Sequence, residues 1–264
     1  MVFSLKIVPY NESHFEQLIN FLRHSWAANH TVYDKVLFDW QYKGPSMSEA
    51  IGFVLISDTG INGFIGGVPY EFILDSNIKT GAGLAIWVVE ESIKNSGIGL
   101  FLRKAIEDEF DITYTIGLNL NVTTMYKKTG YTYYDSLHRY IVPLDSKNYV
   151  KFLLHEVDES TIKKWATEIP DTKPAIVSDN IDAHDMESLY LRNVLPYFRL
   201  LPLKDASFWK WRYLESKGYK YLFFDSDGGA IIARIETIHA PKDGTRHGLT
   251  CLRIIEIIPK SGEI

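Results

Sequence analysis

The segment from Leu84 to Gly99 constrains this chain more than any other. An apolar run, Leu84 to Val89, reads as a buried strand and leads into Glu90-Glu91-Ser92-Ile93-Lys94-Asn95-Ser96-Gly97-Ile98-Gly99. A helical pattern over Ile98 to Phe110 follows at once. A helix N-terminus presents unpaired N–H groups and the positive end of its dipole, so it accepts phosphate. Glycine removes the Cβ that would hold a phosphate away from the backbone. Strand, Lys-x-x-Gly-x-Gly and helix together therefore specify a diphosphate ligand, with a glycine-softened turn as the plain alternative. A dinucleotide fingerprint would need a third glycine where Leu102 stands, and no Gly-Lys-Ser/Thr of a P-loop follows.

Downstream, Ile112 to Leu118 reads as a strand. The stretch Asn119-Leu120-Asn121-Val122-Thr123-Thr124-Met125-Tyr126-Lys127-Lys128-Thr129-Gly130-Tyr131 reads as a short helix closed by Gly130, with a new strand from Tyr131. Upstream, residues 11–28 form an amphipathic helical pattern with Phe15, Leu18, Ile19 and Leu22 on one face, and a second helix is expected near Asp34 to Tyr42. Ile51–Ser57, Gly63–Leu74 and Thr80–Val89 read as strands joined by Asp58-Thr59-Gly60 and Asp75-Ser76-Asn77 turns.

The order strand, Lys-x-x-Gly-x-Gly, helix, strand, Asn-…-Tyr-x-x-x-Gly-Tyr resembles the GNAT superfamily of N-acetyltransferases over roughly residues 1–145. The resemblance implies an α/β (α+β) fold, with a mixed, mostly antiparallel twisted sheet flanked by helices. It also implies acetyl-CoA as co-substrate. Backbone N–H groups of Lys94, Asn95, Ser96, Gly97, Ile98 and Gly99 would hold its diphosphate. Lys94 stands where the family usually has Gln or Arg, keeping the charge but not the planar fork. Val88 and Val89 would pair through their backbone with the pantetheine arm, and Asn119 would contact the same arm. Tyr126 matches the residue that protonates the departing thiolate in many members, against the alternative of a core tyrosine. Glu90 is a candidate general base, with a solvated turn carboxylate as the alternative; Glu91 reads as solvated. Acceptor-site candidates by position in the family are His24, Trp26, His30, Tyr33 and His138, with the expected hairpin Tyr134 to Arg139.

The second half echoes the first. Phe38-Asp39-Trp40-Gln41-Tyr42 recurs as Trp209-Lys210-Trp211-Arg212-Tyr213. Each copy is followed by an apolar strand (Phe53 to Ile56, then Tyr221 to Phe224) and an acidic glycine turn. Gly83 to Glu90 recurs as Gly248 to Glu256, and a helical pattern at Asp182 to Val194 matches the first helix. Matches in order, at offsets of about 166 to 171 residues, point to a duplicated fold. The second copy stops at Pro259 to Ile264, where its own phosphate loop would begin; either the sequence is a shortened one or the second copy is expected to serve packing, dimerisation or acceptor binding. The expected domains are 1–146, a GNAT-like acetyl-CoA-binding catalytic domain; 147–180, a linker with a helix and the Pro170/Pro174 stretch; and 181–264, a smaller α/β domain resembling a partial GNAT repeat.

The net charge of −5 without runs of one sign excludes a basic nucleic-acid surface. No stretch of about 18 apolar residues occurs, so no membrane span is expected. The single cysteine, Cys251, lies in an apolar run and is expected to be buried and inert, fitting a reducing, cytoplasmic compartment. The eight histidines show no metal-ligand spacing, so no metal is expected. The expected activity is transfer of acetyl from acetyl-CoA directly to a primary amine of a small molecule: an amino sugar, sugar nucleotide, amino acid or polyamine. A homodimer is left open. The alternatives are an inactive CoA-binding regulatory or scaffolding protein, and a wall-building aminoacyl transferase, which would not need the glycine loop.

Overall fold

The computed structural model describes residues 4–136, 141, 151, 158–167, 176–178, 180–239 and 246–260. Contacts divide the chain into two compact units, 1–118 with 182–219, and 119–181 with 220–264. This division cuts across the expected domains of 1–146, 147–180 and 181–264. The reason is tertiary: the segment 182–219 carries a strand and helices that complete the first unit.

In that unit, β1 (Lys6–Pro9), β2 (Gly52–Ser57), β3 (Gly60–Leu74) and β4 (Asn77–Val89) form an antiparallel sheet, with β5 (Ile112–Tyr114) added parallel to β4. Beyond Gly66 β3 outruns β2, and β7 (Leu200–Pro202) takes the free edge at Phe72–Leu74. The bidentate Arg199–Asp75 pair, at 2.8 Å for each bond, pins that junction at the β3–β4 turn.

Helices cover both faces. On one side lie α1 (Phe15–Ser25) and α2 (Lys35–Lys43). Asn11 caps the short turn leading into α1, and the Asp34 carboxylate accepts from Val36 and Leu37 at the start of α2. Their apolar stripes, Leu18, Leu22, Phe38 and Tyr42, close on Val54, Phe64 and Ile86. The fit is tight enough that a Cβ on Gly66 would lie 2.6 Å from the Tyr42 ring. On the other side, Leu102 and Ile106 of α3 (Ile98–Glu107), one turn apart, pack on Leu55, Ile65 and Leu84. α6 (Ala183–Asn193), capped by Asp182, and α7 (Ala206–Trp209), capped by Asp205 and continued by a wide turn over Lys210–Leu214, complete this unit.

The other unit holds α4 (Leu120–Lys128), α5 (Glu159–Thr167) and a four-stranded antiparallel sheet in the order β10-β9-β8-β6. Its strands are β6 (Ile176–Ser178), β8 (Leu222–Asp225), β9 (Gly229–Thr237) and β10 (Thr250–Pro259). Apart from β7, which lies between α6 and α7 and has no counterpart, the chain order β6, α6, α7, β8, β9, β10 repeats β1, α1, α2, β2, β3, β4. The last strand of each set also carries a bulge, at a different place along it. One extra residue enters β4 between Leu84 and Trp87, and one enters β10 between Ile254 and Glu256. The second, smaller sheet is thus a partial repeat of the first.

Several sequence expectations shift. β5 stops at Tyr114 rather than Leu118, and residues 131–136 form no strand. Cys251 is half-buried on β10, not buried, because β10 is an edge strand of its sheet. The Pro170/Pro174 stretch and His138 lie outside the described residues. No helix among the described residues is long and apolar enough to cross a membrane, and none of their His, Cys, Asp and Glu clusters would hold a metal.

Candidate functional site

The site is built where β4 ends. β3 advances two residues from Ile65 to Gly67 while β4 advances three from Leu84 to Trp87, so Ala85 and Ile86 share one partner residue. This bulge reverses the alternation of the strand. Leu84 packs against α3, Ile86 against α1 and α2, and Trp87 and Val89 again against α3. On its other edge β4 pairs with β5 only at Gly81–Gly83, followed by a Thr115 hydroxyl donating to the Leu84 carbonyl. From Ala85 to Val89 no β5 residue pairs with that edge among the described residues. An open strand edge offers backbone N–H and C=O groups to an extended ligand.

After Val89 the chain makes a 3₁₀ turn over Glu91–Ser96 and enters α3 through Gly97 at φ +83°. Glycine adopts this conformation freely, asparagine and aspartate less so, and other L-residues only at a cost. A Cβ at Gly97 would meet nothing within 4 Å, so the loop's outer side is open. Whereas Asp34, Asn119, Asp182 and Asp205 cap their helices, no side chain caps α3. The N-cap position itself thus offers no side-chain acceptor to the first turn, although the Ser96 hydroxyl just before it takes up the Ile98 N–H. The Ser96 hydroxyl donates to the Ile93 carbonyl at 2.7 Å and accepts from Ile98 N–H, shaping the loop. The Lys94 ammonium lies 3.0 Å from the Glu91 carboxylate, both exposed. Asn95 is exposed.

Two residues not anticipated from sequence hold this arrangement. Trp87 Nε1–H donates to the Gly99 carbonyl at 3.1 Å, tying the strand to the first turn of α3. Asn62 Nδ2–H donates to Glu90 Oε2 at 2.7 Å, while Glu90 N–H donates back to the Asn62 carbonyl at 2.8 Å. Glu90 is therefore a fixed, half-buried carboxylate, in contrast to exposed Glu91. Asn62 Oδ1 is buried with no hydrogen-bond partner. An asparagine inside a glycine-rich apolar strand was the available signal.

Val88, Val89, Glu90 and Lys94 to Gly99 are thus brought together in one unit. Asn119 and Tyr126 belong to the other. There the Asn119 side chain caps α4 by accepting from Asn121 N–H at 3.0 Å. Tyr126 is 2% exposed, its ring edge-on to Tyr131 at 4.8 Å. Of the acceptor candidates, Trp26, His30 and Tyr33 form one aromatic cluster, with centroids 4.7 to 6.5 Å apart. The Arg23 guanidinium lies 5.6 Å from the Tyr33 centroid. His30 Nδ1 accepts from Val32 N–H, and burial holds its pKa below the ordinary histidine value, so the ring is neutral near pH 7. His24 instead engages the Asn20 carbonyl, and Tyr134 is exposed.

No family model and no curated protein matches the sequence. Solved structures do. A conserved Enterococcus faecalis protein described as a probable N-acyltransferase aligns over 88% of this chain and 56% of its own, at 11% identity and TM-score 0.55. A GCN5-related N-acetyltransferase from Kribbella flavida aligns over 98% and 59%, at 12% identity and TM-score 0.54. Saccharomyces cerevisiae N-myristoyltransferase, solved with bound myristoyl-CoA, aligns over 98% and 64%, also at 12% and 0.54. The chain spans between 56% and 64% of the length of these proteins. At such identities the likeness is one of architecture, and together with the bulged, splayed β4 and the glycine turn into α3 it shows that this chain has the GNAT fold.

Proposed function

We propose that the chain is an acetyl-CoA-dependent N-acyltransferase acting on a primary amine of a small molecule such as an amino sugar, sugar nucleotide, amino acid or polyamine. The observation that carries this reading is the open edge of β4 running directly into an uncapped helix start at Gly97. An extended arm with a diphosphate at one end matches such a surface in both shape and polarity.

Acetyl-CoA supplies an acetyl group activated as a thioester. The N–H groups of Lys94 to Gly99 and the start of α3 bind the diphosphate, and Val88 and Val89 hold the arm through backbone pairing. Glu90, steadied by Asn62, takes a proton from the acceptor ammonium, leaving a neutral amine. The amine nitrogen then bonds to the acetyl carbon, and a backbone N–H of β4 stabilises the charge gathering on the carbonyl oxygen. As the carbon–sulfur bond breaks, the sulfur keeps the bonding pair and takes a proton, for which Tyr126 is the proposed donor by its match to the family pattern; the nitrogen gives up its second proton through water as the amide forms, and this proton restores the phenol. Asn119 is proposed by the same match as a contact of the arm. The aromatic cluster of Trp26, His30 and Tyr33 would border the acceptor.

Calorimetry with acetyl-CoA on the full chain, followed by thiol release over a panel of amines, tests this. Micromolar binding and amine-dependent release are expected. Tyr126→Phe should lower turnover by about 100-fold or more with little change in acetyl-CoA affinity. Failure to bind acetyl-CoA would overturn the proposal.

A further inference from the structure

The fork where β4 and β5 part carries polar side chains without a role in the transfer step. β5 pairs with β4 as far as Tyr114, opposite Gly83, and Thr115 makes the last link by donating to the Leu84 carbonyl. The open edge of β4 starts one residue on, at Ala85. The Tyr114 ring lies across β4 here: a Cβ on Gly83 would stand 2.9 Å from both its Cζ and its hydroxyl. Glycine at this position leaves the phenol room to reach over the strand toward β3. There it meets Tyr70, with ring centroids 5.9 Å apart and the two hydroxyls interacting. Burial and the Tyr70 hydroxyl push the Tyr114 phenol far above its ordinary range, so it stays protonated and can donate. Both tyrosines are half-buried.

The turn after α7 brings a cation to the same place. The Arg212 guanidinium lies 5.5 Å from the Trp40 ring centroid and 6.0 Å from that of Trp211, and its charge acts on the Tyr114 phenol. Trp211 in turn meets the Tyr70 ring edge-on at 6.3 Å. Contact with indole rings holds a guanidinium without consuming its N–H donors. Among the described residues those donors make no hydrogen bond and no salt bridge, and Arg212 is half-buried. The matching position in the first copy of the aromatic-x-Trp-x-Tyr motif is Gln41, so the motif itself does not require the charge. Position decides what this group can serve. α3 covers the face of β4 that carries Leu84, Trp87 and Val89. Gly83, next to Leu84, has the opposite face, and Tyr114 shares it. An acceptor reaching an arm laid along Ala85 to Val89 comes from that face, past Tyr114, Tyr70 and Arg212.

We propose that Arg212 selects the acceptor: the amine carries a carboxylate or phosphate, whose oxygens take the guanidinium fork and the Tyr114 hydroxyl. This rests on the transfer activity proposed above and narrows it. Amino acids and amines bearing a phosphate fit. Polyamines and uncharged amino sugars do not, because they meet the guanidinium with like charge or leave it unpaired.

The test is calorimetry of the full chain, with CoA present, against two sets of paired amines: the common L-amino acids with their amides, and phosphoethanolamine with ethanolamine. At least one charged member is expected to bind about tenfold or more tightly than its uncharged partner, and the pair that discriminates tells carboxylate from phosphate. In Arg212→Gln that preference should vanish. Arg212→Lys, which keeps the charge but not the fork, should restore part of it. The preference is a ratio within each protein, so a general loss of structure, which weakens both members alike, leaves it in place. In steady-state thiol release the KM for the preferred amine should rise about tenfold in Arg212→Gln while that for acetyl-CoA holds. No binding of any charged amine, equal binding of the two members in every pair, or a preference that survives Arg212→Gln would overturn the proposal. Binding of CoA alone is measured first: its absence beside an intact, Arg212-dependent preference would remove the transfer activity and leave the anion site standing.

Discussion

Trp40 and Trp211 exchange hydrogen bonds: the Trp40 indole N–H donates to the Trp211 carbonyl at 3.1 Å, and the Trp211 indole N–H to the Trp40 carbonyl at 2.9 Å. Their rings lie 5.4 Å apart. The two residues occupy the same place in the repeated aromatic-x-Trp-x-Tyr motif, 171 positions apart. Such reciprocity is what a two-fold relation between equivalent elements produces. Here it is made within one chain, between α2 and the turn that follows α7.

Each bond ties the returning segment to the first unit. Trp40→Phe or Trp211→Phe is expected to cost about 1 to 2 kcal/mol, since each removes a donor and leaves a carbonyl unpaired. The double variant should cost less than the sum, with a coupling of at least about 0.5 kcal/mol. Urea unfolding of the four proteins in the cycle measures this. Strict additivity would show that the two bonds form independently.

Gly97 has two reasons to be glycine. Its positive φ makes Gly97→Ala cost about 1 to 2 kcal/mol of stability, and a side chain there would also stand over the first turn of α3. Gly97→Asn, which tolerates the left-handed region, should recover most of the stability. Both variants should bind acetyl-CoA at least tenfold more weakly, separating strain from steric exclusion. Calorimetry alongside thermal melting distinguishes the two effects.

The Asn62–Glu90 pair predicts a division of kinetic effects. Glu90→Gln should lower turnover by about 100-fold, because a neutral amide cannot take the ammonium proton. Asn62→Ala should reduce turnover by about tenfold, through loss of the carboxylate's orientation. Neither should change the KM for acetyl-CoA, since neither belongs to the glycine loop. Steady-state kinetics at saturating amine gives the answer, and a parallel rise in both KM values would point to a general loss of structure.

His30 predicts a pH effect on stability. Its folded-state pKa lies below the unfolded value of about 6.5. The unfolded chain therefore binds more protons in that window, and stability is complete above the unfolded pKa. It is lost as pH falls through the lowered folded value, where protonation of Nδ1 breaks its acceptor bond from Val32 N–H. Melting temperatures from pH 7 to pH 5 should fall less steeply in His30→Asn, which caps the same turn without titrating.

The local elements and the glycine loop before α3 could be read from the residues alone. The 3.6-residue spacing of Phe15, Leu18, Ile19 and Leu22 prescribes α1 because its burial needs no distant partner to be recognised. The order of strand, glycine turn and helix around Gly97 was legible for the same reason: turn chemistry is local. The duplication was legible because it is written in repeated residues. Where the repeated segment packs follows instead from long-range pairing. The pairing of Leu200–Pro202 with β3, the exchange between Trp40 and Trp211, and the single extra residue in β4 depend on which backbone edges remain free once other strands have paired. The hold of Asn62 on Glu90 likewise arises from strand register, and register is fixed by the whole sheet rather than by either residue's neighbours.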